Sequence, residues 1–166
     1  SKKVYWKYTA HDYLGKKYPV KEPIGQTGRT DMCLLESRYI NHTPIPIASK
    51  APNYGDKILN IGTPYAIFIP PYITLDEGYY LGASRNDGPI IMSDLVIGPG
   101  SSGSMVIQKQ GLTWKLVGMI HSVILIYDPP VGIKGKVAEP LLSLGASLKQ
   151  IKDFIQYVEE GYISPD

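Results

Sequence analysis

An all-β fold closed by one C-terminal helix is what this sequence predicts, and three observations carry the prediction. Short segments rich in Val, Ile and Tyr recur along the 166 residues. They are punctuated by 14 prolines and 17 glycines, the rhythm of strands and turns. Only the stretch from Ser147 onward switches to helical periodicity.

The elements follow in order. Val4–Thr9 reads as a strand, His11–Gly15 as a turn and Lys17–Lys21 as the returning strand, with Pro19 marking an edge or a bulge. Met32–Leu35 is an apolar run of the buried-strand type, and Cys33 within it reads as a small core residue. Pro44–Asp56 is polar and proline-rich, a linker between two halves. Lys57–Ile69, Tyr79–Ser84, Ile90–Ile97, Met105–Gln108 and Trp114–Ile126 follow as strands. The helix has Ser147 as its N-cap. Its stripe is Leu148, Ile151, Ile155 and Val158 with Phe154 beside them, and Gly161 is its stop. The stripe reads as a face packed on the body of the protein.

Composition narrows the function classes. The 17 basic residues nearly balance the 15 acidic ones, with no long run of one sign, so nothing points to nucleic acid or an anionic membrane. No apolar stretch reaches membrane-spanning length; the longest, Val123–Tyr127, is the size of a strand. A single cysteine excludes an intrachain disulfide. Three scattered histidines and one cysteine make no metal cluster, and no cofactor is expected.

The stretch Gly98-Pro99-Gly100-Ser101-Ser102-Gly103-Ser104-Met105 lies between the apolar runs Leu95–Ile97 and Met105–Ile107. Glycines permit backbone conformations that a Cβ forbids, so amide N–H groups can converge beside a serine hydroxyl. Convergent N–H groups next to a nucleophile make an oxyanion hole for acyl transfer. The plainer reading is a Gly/Ser-rich turn between two strands. The stretch alone leaves both readings open.

Its surroundings bear on the choice. Ser93–Ser104 resembles the nucleophile segment of trypsin-like serine proteases, in particular the Deg-type and the viral or phage branches. Gly111 with Leu116–His121 resembles the hairpin and strand lining their substrate cleft. Gly135–Pro140 and the terminal helix resemble their last strand and helix. Thr30–Glu36 resembles the catalytic-aspartate segment, and Tyr54–Pro64 the strand that opens the second barrel. The matches run in the family's order along nearly the whole chain. The resemblance implies a chymotrypsin-like pair of antiparallel β-barrels with the active site in the cleft between them. Residues 1–49 would be the remainder of the N-terminal barrel, incomplete in this chain, and residues 50–166 the C-terminal barrel with the helix. Ser102 matches the nucleophile, the amides of Gly100 and Ser102 the oxyanion hole, and Asp31 the acid that orients the imidazole. Asp31 also reads as an aspartate capping a turn before a strand.

The triad needs a base, because a serine hydroxyl is a weak nucleophile until its proton is taken. The resemblance puts the histidine before the aspartate, after two or more strands. Ten residues precede His11, too few for those strands, and His11 itself falls in a turn. His42 follows Asp31 and His121 follows Ser102. The histidine is therefore expected outside this chain, on an N-terminal segment or a second chain that also completes the first barrel. For specificity the resemblance points to Val96 and Ile97, which favour an apolar substrate side chain. Ile120, His121 and Ser122 lie on the strand lining the cleft. A histidine there selects acidic or amide side chains in some relatives, but His121 falls one position late for that pattern, and one residue turns a strand side chain to the other face. The expected function is a serine endopeptidase, viral or bacterial, acting on polypeptides. The alternatives are a catalytically inactive domain of the same fold serving as a binding or structural module, and an unrelated small β-barrel coat or scaffold protein.

Overall fold

The computed structural model describes residues 8–21, 25–27, 31–37, 40, 42–63, 73–84, 88–127 and 138–161. The chain divides into two compact units. The first comprises Ser1–Pro44, Phe68–Ile73 and Lys152–Asp166; the second comprises Ile45–Ile67 and Thr74–Ile151.

In the first unit, β1 (Tyr8–His11) pairs antiparallel with β2 (Lys17–Val20), and β3 (Gly25–Thr27) pairs with β4 (Met32–Leu34). Among the described residues these remain two separate two-stranded sheets. Asp12 builds the β1–β2 turn. Its Oδ1 accepts from the amides of Leu14 at 3.0 Å and Lys16 at 2.9 Å, the side-chain-to-backbone bonding that suits Asp to turns. The predicted start at Val4 lies outside the described residues. Strand β4 is half-buried, not sunk in a core: Met32 is buried, while Cys33 is exposed. The expectation of a core cysteine is thus corrected. Side chains alternate across a strand, so an unbroken apolar run in a two-stranded sheet still sends every second residue outward.

The second unit is a closed antiparallel barrel of six strands. They are β5 (Lys57–Gly62), β6 (Thr74–Ala83), β7 (Ile90–Ser93), β8 (Met105–Gln110), β9 (Thr113–Tyr127) and β10 (Ala138–Ser147). Around the barrel the order is β10-β7-β6-β5-β8-β9. Closure leaves no unpaired edge. The alternation the sequence displays is the alternation of burial: Ile58 and Asn60 on β5, Gly78 and Tyr80 on β6, and Ile90 and Met92 on β7 all face inward. Ile58, Met92, Val106, Val117 and Ile120 form the centre of one apolar cluster. Strand β10 runs seven residues beyond the predicted end at Pro140 and leads straight into the helix. The proline, which has no N–H to give, sits where the register with β9 shifts.

The predicted linker is partly structural. Leu116 N–H donates to Pro46 O and Ala48 N–H to Leu116 O, both at 2.9 Å. Ala48 is wholly buried in the barrel's cluster. Helix α1 (Leu148–Glu159) starts on a reciprocal cap. Gln150 N–H donates to Ser147 Oγ at 3.2 Å, and Ser147 N–H donates to Gln150 Oε1 at 2.9 Å. Leu148 belongs to the barrel's cluster, and Ile151 and Phe154 are buried. Gly161, at φ 79°, ends the last turn.

Candidate active site

The glycine-serine turn joins β7 to β8 and is tied down at both ends. At the near end, Asp94 takes φ 60°, a conformation that Asp tolerates. Ser93 Oγ donates to the Asp94 carboxylate at 2.9 Å. Within the turn, Ser101 N–H donates to Gly98 O at 3.0 Å, and Gly98 N–H donates to Ser101 Oγ at 3.2 Å. Ser101 is 1% exposed, so its hydroxyl is an internal strut. Ser104 N–H donates to Ser101 O at 3.0 Å. At the far end, Gly103 N–H donates to Ile120 O and Ile120 N–H to Ser104 O, fastening the turn to β9. Gly100 at φ 91° and Gly103 at φ 86° supply the left-handed corners on either side of Ser102.

This bonding leaves Ser102 exposed at the crest of the turn. Among the described residues, the N–H groups of Gly100 and Ser102 donate to no acceptor. Amides without an acceptor beside an exposed hydroxyl are free to bind an oxyanion. Among the described residues the Ser102 hydroxyl donates to the carbonyl of His121 alone, at 3.4 Å.

His121 sits at an irregularity of the barrel. On β10, Leu144 pairs with Ser122 and Gly145 with Ile120, so His121 has no partner there. An extra residue of this kind re-aims a side chain. Parity counted along β9 from sequence alone does not carry across this irregularity. Its Nδ1 lies 2.8 Å from Ser122 Oγ. Val96 is 64% exposed, and Ile97 packs partly against the barrel's cluster. Ile120 is 1% exposed, and its side chain belongs to the core. Val96, Ile97, Gly100, Ser102, Ile120, His121 and Ser122 thus all belong to the second unit. Asp31 belongs to the first, exposed, at φ 49° in the turn that opens β4.

The histidines have their own surroundings. His11 is exposed at the end of β1. His42 Nε2 lies 3.3 Å from Asp12 Oδ2 and 3.4 Å from Tyr18 OH, with the rings of Tyr13 and Tyr18 beside it. Tyr18 OH donates to the same carboxylate oxygen at 2.9 Å. Burial of Asp12 works to raise its pKa. The hydrogen bonds from the Lys16 amide, Tyr18, His42 and the Leu14 amide outweigh that and hold the carboxyl below its ordinary 3.8. Sequence reading missed this hub, whose members lie up to 30 residues apart; the one local signal was the Asp-x-x-Gly turn. Among the described residues no group of three His, Cys, Asp or Glu is gathered as a metal site would need.

A six-stranded antiparallel barrel followed by one helix, with a serine-bearing glycine turn leading into a barrel strand, defines the class: an all-β protein of the chymotrypsin-like fold. The model of the trypsin-like peptidase domain matches residues 5–119, and the chain belongs to that family. Among solved structures it is similar to a serine endoprotease from Yersinia pestis. There the TM-score is 0.70 and the identity 18%, over 93% of this chain and 49% of that one. It is also similar to Rv3671c from M. tuberculosis H37Rv, solved as a serine-to-alanine mutant in an inactive form. That match has a TM-score of 0.64 and 10% identity, over 90% of this chain and 69% of that one. The chain therefore spans about half the length of the Yersinia protein. No curated protein matches it in sequence.

Proposed function

We propose that this chain is the main part of a serine endopeptidase with Ser102 as nucleophile and Asp31 as the acid of the triad. The observation that carries the reading is that the amides of Gly100 and Ser102 have no acceptor among the described residues while the Ser102 hydroxyl stands exposed on a turn tied at both ends. Ser102 Oγ would attack the scissile carbonyl carbon while a histidine takes its proton. The carbonyl oxygen becomes an oxyanion held by the two amides. As the C–N bond breaks, the imidazolium gives its proton to the departing amine. Water then enters by the same route, cleaves the acyl-serine ester and returns the proton to Ser102. Asp31 orients the imidazole and stabilises its charged form.

The base in this reading is neither His42 nor His121. His42 is engaged with Asp12 and Tyr18, and His121 Nδ1 with Ser122. The imidazole would come from an N-terminal segment or a second chain, which would also pair with the two small sheets of the first unit. Substrate is a polypeptide, with an apolar side chain favoured by exposed Val96 and by Ile97. His121, on the strand the resemblance places at the cleft, favours an acidic or amide side chain as the competing preference. The engagement of two histidines also favours a second reading: a catalytically inactive member of the family, used for binding or structure. Ser102→Ala in the protein supplied with its histidine separates the two. The endopeptidase reading expects turnover to fall by about a million-fold. An inactive domain has no Ser102-dependent turnover to lose.

A further inference from the structure

The barrel interior contains polar side chains that the proposed chemistry does not use. Asn60 is fully buried, yet neither its Nδ2 nor its Oδ1 has a hydrogen-bond partner. Asp76 lies directly across the β5–β6 ladder from it, and Asp76 Oδ2 is likewise buried and unpartnered. Facing pairs of this kind have Cβ atoms roughly 5 Å apart, so the two groups share one space without bonding each other. Ile61 pairs with Met105, which carries the register on to Gly62 opposite Ser104. A Cβ on Gly62 would overlap Ser104 Oγ and come 3.8 Å from Asn60 Nδ2. Two inward rows therefore stand side by side, Asp76-Asn60-Val106 and Thr74-Gly62-Ser104. The place a Gly62 side chain would take is filled by Ser104 Oγ, which brings that hydroxyl beside the Asn60 amide.

Leaving such groups unbonded is costly, and buried polar atoms in folded proteins are nearly always satisfied by protein or by ordered water. The chemistry here selects the ligand. Asn60 Nδ2 is a donor, Asn60 Oδ1 and Asp76 Oδ2 are acceptors, and Ser104 Oγ is both. A cation would meet the amide hydrogens, and an anion would meet the carboxylate. A small neutral molecule that both donates and accepts fits all four atoms, and buried water with two to four polar partners is common in interiors of this kind.

We propose that ordered water bridges Asn60, Asp76 and Ser104, and that Asn60 is thereby a positioning residue for the Ser102 turn. Ser104 is the route: its N–H and C=O hold Ser101 and Ile120, the two ends of the turn's fastening. The catalytic consequence rests on Ser102 being the nucleophile; the solvent site does not.

Three measurements on the purified chain test it without reading activity, so a failed assignment of Ser102 would leave them unchanged. A high-resolution crystal structure should contain water within about 3 Å of Asn60 Nδ2 and Asp76 Oδ2. A direct Asn60–Asp76 hydrogen bond in a dry interior overturns the proposal and needs no variant to fold. Asn60→Leu, close to Asn in volume, should raise the unfolding equilibrium constant about tenfold, because it strands the bound water and the carboxylate. Equal or greater stability means that the amide was simply orphaned, and contradicts the site. In the same variant, hydrogen exchange at the Gly103 and Ser104 amides should accelerate about tenfold more than at Val117 in β9. Uniform acceleration across the barrel contradicts the positioning role.

Discussion

Replacing Gly62 with alanine probes how firmly the Ser102 turn is held against the barrel. Gly62 does not occupy the left-handed region, so its backbone accepts an alanine. The obstacle is contact: the new Cβ would overlap Ser104 Oγ and stand 2.8 Å from Ser104 Cβ. The hydroxyl can rotate away, but Ser104 Cβ moves only with its backbone. That backbone is fixed by the bond from Ser104 N–H to Ser101 O at 3.0 Å and by the bond to Ser104 O from Ile120 N–H at 2.9 Å. Overpacking of this order costs about 1–3 kcal/mol. Losing a glycine from the unfolded chain returns about 0.4–1 kcal/mol. The net loss is therefore about 0–2.6 kcal/mol, or a Tm lower by up to roughly 10 °C for a chain of this size. Chemical denaturation of Gly62→Ala measures it directly. The same substitution in a Ser104→Gly background isolates the contact, because the colliding Cβ is then gone and the added cost should vanish. An equal cost in both backgrounds would refute the reasoning.

Three further outcomes follow from the same contacts. The depressed Asp12 carboxyl contributes stability that is present above its ordinary pKa of 3.8 and is lost as pH falls through the lower, folded value. Asp12→Asn should flatten that acid limb in denaturation midpoints taken between about pH 5 and pH 2; an unchanged limb counts against the hub. Ser101→Ala removes the acceptor for Gly98 N–H and should cost about 1–3 kcal/mol by denaturant titration. Ser147→Ala breaks the reciprocal cap of α1 and should cost about 1 kcal/mol, read as a lower Tm by circular dichroism.

What was legible in the sequence was local. The helix was fully marked, because Ser147, the Leu148–Val158 stripe and Gly161 are signals within one element. The strands of the six-stranded barrel were legible from their Val-, Ile- and Tyr-rich segments between prolines and glycines, although β6 begins at Thr74, before the expected Tyr79, and β7 ends at Ser93, before the expected Ile97; the Ser102 turn was legible from its glycines. What escaped depends on distant partners. Leu142–Ser147 carries no strong strand preference of its own. It extends β10 because β7 and β9 pair with it on either side. Cys33 was misjudged because an apolar run does not say how many of its faces are covered. The His121 bulge is a mismatch between strands, and no count along one strand reveals it. Asn60 looked like any polar residue in a strand. Its burial is fixed by the closure of the barrel around it.

The most direct test of the central claim is covalent labelling with a fluorophosphonate, located by peptide mass spectrometry, on the chain supplied with the segment or second chain that the proposal expects to carry the histidine. The account predicts one labelled residue, Ser102, and loss of both the label and peptide cleavage in Ser102→Ala. Labelling at another serine, or cleavage that survives Ser102→Ala, contradicts it.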